Sequence, residues 1–111
     1  MTLLYLNADT MGQGDEALGR KLLAVFLGEL AASEHGVDLV GCVNGGIRLT
    51  TEEGPALEAL RQLEQRGARI ASCGTCLDHF GLREQLKIGV VGKMSDTVAV
   101  MATADRVIRP C

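Results

Sequence analysis

The segment Ser72-Cys73-Gly74-Thr75-Cys76-Leu77-Asp78 places two thiols three positions apart. That spacing serves three chemistries. A tetrahedral metal centre needs four nitrogen or sulfur ligands, which Cys42 and His79 would have to complete. No second CxxC pair follows and the other ligands lack motif spacing, so no metal is expected. Disulfide exchange of the thioredoxin type also needs a proline facing the thiols. Pro55 and Pro110 are the two prolines, and neither follows the short strand that would place one there. The third chemistry is carriage of a sulfur or selenium atom. Cys73 would end a strand and face the N-terminal amides of the next helix, which favour the nucleophilic thiolate. Gly74 and Thr75 keep the connection small, so that backbone N–H groups can approach a bound anion. Cys76 is placed to attack a persulfide or perselenide on Cys73 and release the terminal atom, leaving a disulfide. The residues favour the carrier. They leave open a plain packing role, since cysteine is among the most buried residue types.

His79 lies three positions after Cys76 and shares a helix face with it. It is read either as a base that steadies a thiolate or as a half-exposed ring beside Phe80. Residues 44–54 begin with Asn44 and Gly45 at a strand end and carry Arg48, a positive charge for a sulfur or selenium anion. A connection of this length is a surface crossover, or a lid or partner surface beside Cys73. Cys42, inside an apolar run, reads as core, and Cys111 is given no role. Gly12-Gln13-Gly14-Asp15-Glu16-Ala17 has the outline of a dinucleotide fingerprint. Its first glycine lies well beyond the strand, and Asp15 would repel a phosphate, so it is read as a turn with Asp15 as helix cap. No cofactor is expected.

These residues need a scaffold. Near-continuous apolar runs mark strands at 2–7, 37–44 and 68–72, with a fourth at 87–92 and a fifth at 105–110. Between the first two runs a helix closed by Gly36 is expected, with Leu18, Leu22, Val25, Phe26 and Leu30 on its inward stripe. Pro55 opens a second helix with Leu57, Leu60 and Leu63 on its apolar side, stopped by Gly67. A short helix broken at Gly81 follows the cysteines, and 94–104 reads as the last helix. The alternation predicts a three-layer α/β/α sandwich around a mainly parallel five-stranded sheet, with 1–111 as a single domain. In such sheets the functional crevice lies beyond the carboxyl ends of the strands, where Asn44 and Cys73 fall.

The chain has 111 residues, enough for one core. Aromatic residues make up 3%, so the core must be aliphatic, which suits buried parallel strands. A net charge of −3, with the arginines scattered among acids, argues against nucleic acid as a partner. No run approaches the ~20 apolar residues that span a bilayer, and no leader is evident, so a cytoplasmic setting with reduced thiols is expected.

The blocks Met11–Ala31, Val43–Ile70, Ser72–Asp96 and Ala104–Arg109 resemble the DsrE-like domain of the YedF-type, sulfurtransferase-like proteins of selenium metabolism. The most specific part is Cys-Gly-Thr-Cys-Leu-Asp followed by Phe80-Gly81-Leu82. The resemblance implies the same α/β/α fold, homo-oligomers (dimer, trimer or hexamer) and cytoplasmic sulfur relay. It implies persulfide carriage on Cys73, with Gly81 closing the helix that follows. YedF-type proteins usually join this domain to a TusA-like sulfur carrier, so a TusA-like or selenium-pathway protein is the implied partner.

Overall fold

Strand β1 (Thr2–Leu6) is the first element of the computed structural model, which describes residues 1–111. The chain continues through α1 (Glu16–Ala32), β2 (Leu39–Cys42), α2 (Arg48–Thr51) and α3 (Pro55–Gln65). It then runs through β3 (Arg69–Cys73), α4 (Gly74–Phe80), β4 (Val90–Gly92), α5 (Met94–Thr103) and β5 (Arg106–Ile108). The five strands form one sheet in the order β4-β3-β2-β1-β5, every pair parallel. The predicted sandwich is present, and its sheet is parallel throughout. No helix is long and apolar enough to cross a membrane.

The strand order determines which face each helix covers. From β1 to β4 the chain steps in one direction, and right-handed crossovers put α1, α3 and α4 on one face. The step from β4 back to β5 reverses direction, so α5 lies on the other. The packing agrees. Leu4, Leu6, Val40, Cys42 and Ile70 join α1 and α3 in one aliphatic core cluster, to which α5 contributes no residue. Of the alternate strand residues, which point to the α5 side, Leu3 and Cys73 are buried but Tyr5, Leu39, Gly41 and Ala71 are only half-buried, and α5 has no buried residue.

Helix α1 starts as its sequence dictates. Asp15 has extended backbone, and its carboxylate accepts the Leu18 N–H at 3.1 Å. The glycine motif before it is a turn, as expected. The inward face differs from the expected stripe. Gly19, Leu23, Leu27, Leu30 and Ala31 are buried, while Leu18, Leu22 and Val25 are exposed. This helix is apolar almost all round, so spacing alone did not single out its core side. It ends at Ala32 rather than Gly36, where the Ser33 hydroxyl donates to the Leu30 carbonyl at 2.7 Å. Helix α3 opens at Pro55 and buries Leu57, Leu60 and Leu63, each worth about 1.5–3 kcal/mol.

The expected connection at 44–54 is not a loose crossover or a lid. Asn44–Ile47 forms a 3₁₀ turn that runs into α2. Leu49, Thr50 and Thr51 are buried, and both threonine hydroxyls donate to the Ile47 carbonyl at 3.0 Å. The Thr50 hydroxyl also meets that of Ser72 at 2.7 Å, which ties the turn to β3. These bonds satisfy buried polar groups and hold the segment against the sheet.

Candidate functional site

All four cysteines gather at the carboxyl end of the sheet, because parallel strands deliver their last residues to one edge. Cys42 ends β2, Cys73 ends β3, Cys76 lies in α4, and Cys111 follows β5. They do not share one environment. Cys42 points to the α1–α3 side, is 1% exposed, and burial pushes its thiol up to about 12. It is core, as expected. Cys111 reaches back to the Ala8 carbonyl at 3.8 Å.

Cys73 and Cys76 come together. Cys73 is the N-cap of α4, with its side chain on the α5 side of the sheet, and is 8% exposed. Cys76, half-buried, is close enough to Cys73 for that thiol to influence its own. Its Sγ accepts the Asn44 N–H at 3.1 Å. The Cys76 thiol is held above its ordinary value by burial first, against the lowering effect of the Asn44 N–H, with Cys73 adding a further rise. Asn44 donates that bond from left-handed backbone, φ 49°. Such a conformation is uncommon outside glycine and is tolerated best by Asn and Asp.

The other candidates divide. Gly45 packs against the backbone of Ala8 and Asp9. Gly74 begins α4 in a tight space: a Cβ there would meet Val91 Cγ1 at 2.9 Å and an Arg83 guanidinium nitrogen at 3.1 Å. The small residue admits a neighbouring side chain and a cation to the backbone beside Cys73. Thr75 is exposed. Arg48, the expected anion partner, lies against the ring of Phe80. Its guanidinium lies 5.8 Å from the centre of the Phe80 ring, which His79 meets edge-on at 5.1 Å. Arg48, Phe80 and His79 thus form a patch at the far end of α4. No three of the His, Cys, Asp and Glu residues come together to hold a metal.

A cation at the start of α4 is Arg83, which sequence reasoning passed over as surface charge. Asp78 anchors it with two bonds, of 2.7 and 3.0 Å, and Arg83 in turn holds the Asp78 carboxyl below the usual range. The pair straddles Gly81, whose left-handed backbone turns the chain after α4. An acid, a helix-stopping glycine and an arginine at that spacing were the available signal.

Between the sheet and α5 lies a cleft of about 470 Å³ on which Cys73 opens.

The fold has solved counterparts. It superposes on the ychN protein of E. coli at 20% identity and TM-score 0.69, over 97% of each chain. MTH1491 of Methanobacterium thermoautotrophicum, described as of unknown function, matches at 19% identity and TM-score 0.67, over 98% of this chain and 97% of that one. BT1422 of Bacteroides thetaiotaomicron, also of unknown function, matches at 14% and 0.65, over 97% and 93%. No curated protein matches the sequence. The model of the DsrE/DsrF-like family matches residues 10–110, nearly the whole chain and both thiols included, and the chain belongs to that family.

Proposed function

We propose that the chain relays sulfur or selenium, with Cys73 carrying the atom and Cys76 releasing it. The observation that carries this reading is the dithiol itself: two neighbouring thiols, one opening on a cleft and the other under a backbone N–H. The Cys73 thiolate attacks the terminal sulfur of a donor persulfide, and the donor leaves as its thiolate. An acceptor thiolate can then take that sulfur directly. Alternatively the Cys76 thiolate attacks the inner sulfur, forming the Cys73–Cys76 disulfide and expelling hydrosulfide. A dithiol reductant, itself oxidised to a disulfide, then restores both thiols. Burial and the neighbouring Cys73 raise the Cys76 thiol, which favours its protonated form over the resolving thiolate. The same thiolate holds selenium as perselenide. A YedF-type role beside a TusA-like carrier and a cytoplasmic setting with reduced thiols suit this chemistry.

Intact-mass spectrometry after exposure to a persulfide donor, without reductant, tests the relay. Wild type is expected to gain one sulfur, Cys73→Ser none, and Cys76→Ser a longer-lived adduct. Equal loading of Cys73→Ser would sink the proposal.

A second reading has its own support. Exposed apolar stripes on α1 and α5 favour an oligomeric binding module in which the dithiol acts as a redox latch. A Cys73 that alkylates with iodoacetamide no faster than an ordinary free thiol, and takes up no sulfur, would favour it.

A further inference from the structure

The cleft under α5 is more than an entrance to Cys73. We propose that it binds an aliphatic carboxylate, its head at Arg69 and its chain running along β3 toward Cys73. The volume, about 470 Å³, lies within the range of small-molecule sites. Parallel pairing sets Leu3, Leu39 and Arg69 side by side, and Gly41 beside Ala71 one step on, all on the α5 side. The two small residues lower the floor between larger neighbours. Val100 and Thr97 of α5 form the roof. The space is therefore concave within one chain.

Length and charge specify the occupant. Arg69, Ala71 and Cys73 alternate onto the same face, so the floor runs ~13 Å along β3, which a chain of about eight to ten carbons spans. The middle is apolar. At the Cys73 end one lining cation, Lys93, and one lining carboxylate, Asp96, leave no net charge. At the other end Arg69 stands without an ion pair and without a lining carboxylate. The Asp38 carboxylate at that edge already accepts the Thr2 N–H at 2.6 Å. One uncompensated cation at the end of an apolar channel selects an anionic head with a hydrocarbon chain. Bound this way, the chain covers Cys73.

Decanoate, kept below micelle formation and titrated by calorimetry and by NMR of valine and leucine methyls, tests the site. Saturable binding at one molecule per chain is expected, with shifts at Leu3, Leu39 and Val100. Arg69→Gln should weaken it about fivefold, the scale of an exposed charge pair. Ala71→Phe should abolish it. Val100→Phe narrows the cleft from the roof and should do the same if the strand variant does not fold. Decanoate should also slow iodoacetamide at Cys73. Decanoate binding is read with no sulfur donor present, so failure of the relay and failure of this site are separate results. Absence of saturable binding overturns the proposal. So does undiminished binding to the folded filled-cleft variants, or decanol binding as tightly as decanoate with no effect of Arg69→Gln.

Discussion

Gly46 stands where a methyl group has no room. A Cβ at this position would run into the Leu6 carbonyl oxygen, with the carbonyl carbon at 2.8 Å and the Asn7 nitrogen at 3.4 Å. Both obstacles are backbone, so neither can swing aside. The close approach seats the 3₁₀ turn against the end of β1, and that turn presents the Asn44 N–H to Cys76. Gly46→Ala should therefore cost about 1–3 kcal/mol, the range of overpacked interiors. For a chain of this size that lowers the melting temperature by roughly 4–20 °C. The variant should also show a changed Cys76 alkylation rate, because its one backbone hydrogen bond shifts. An unchanged melt and an unchanged rate would refute this account of the turn. The same residue scale explains why Arg48 was expected at the thiols and Arg83 was not. Sequence distance favoured Arg48, beside a strand end. The ring of Phe80 lies beside its guanidinium, while Asp78 brings Arg83 to Gly74 across the Gly81 turn.

At the scale of elements, Arg66 ties the end of α3 to the end of α1. Its guanidinium donates to the Ala31 carbonyl at 2.8 Å, the Leu30 carbonyl at 3.4 Å and the His35 carbonyl at 3.2 Å. These acceptors include carbonyls that the last turn of a helix leaves without partners. A cation there also complements the helix dipole. Removing the side chain should cost about 1–2 kcal/mol, since the bonds are charge-assisted but partly wet. In urea melts Arg66→Ala should lower the midpoint, and Arg66→Lys should recover only part, because one ammonium cannot span carbonyls on two segments. Equal midpoints for all three proteins would show that the clamp contributes nothing. No local pattern announced this contact, which joins residues 35 positions apart. What could be read locally was. Alternation gave five strands and the helices between them, the Asp15 cap, the Pro55 start, the Gly81 stop and a dithiol at a strand end. Four of the five strands are shorter than their apolar runs, β4 because it begins at Val90; β3 keeps its length and is displaced by one residue. Helix α2 was missed because four residues bear no period; buried threonine hydroxyls and the contact with Ser72 hold it.

At the scale of the molecule, the misread face of α1 becomes informative. Leu18, Leu22 and Val25 are 51%, 42% and 53% exposed, spaced as one stripe of the helix. Met94, Val98 and Met101 form a second stripe on α5, 53%, 62% and 37% exposed. The crossover reversal puts α1 and α5 on opposite faces of the sheet, so the two stripes cannot cover each other. Neither is needed for the core, yet a chain that carries both exposes apolar surface on two sides. Second copies of the chain offer matching apolar stripes. A standard interface removes about 800 Å² per partner, and the chain's 6322 Å² of surface has room for one on each face. Two isologous contacts on opposite faces generate assemblies larger than a dimer when both are used. Light scattering on the eluting protein at tens of micromolar should therefore give a mass above that of one chain. Leu22→Asp and Val98→Asp should each lower the mass by removing one contact, and the double variant should be monomeric. Both residues are too exposed for these changes to unfold the monomer, which circular dichroism checks. A monomeric wild type would leave the stripes without this role. A mass that falls with Leu22→Asp alone would confine self-association to α1 and leave the roof of the Cys73 cleft open to solvent.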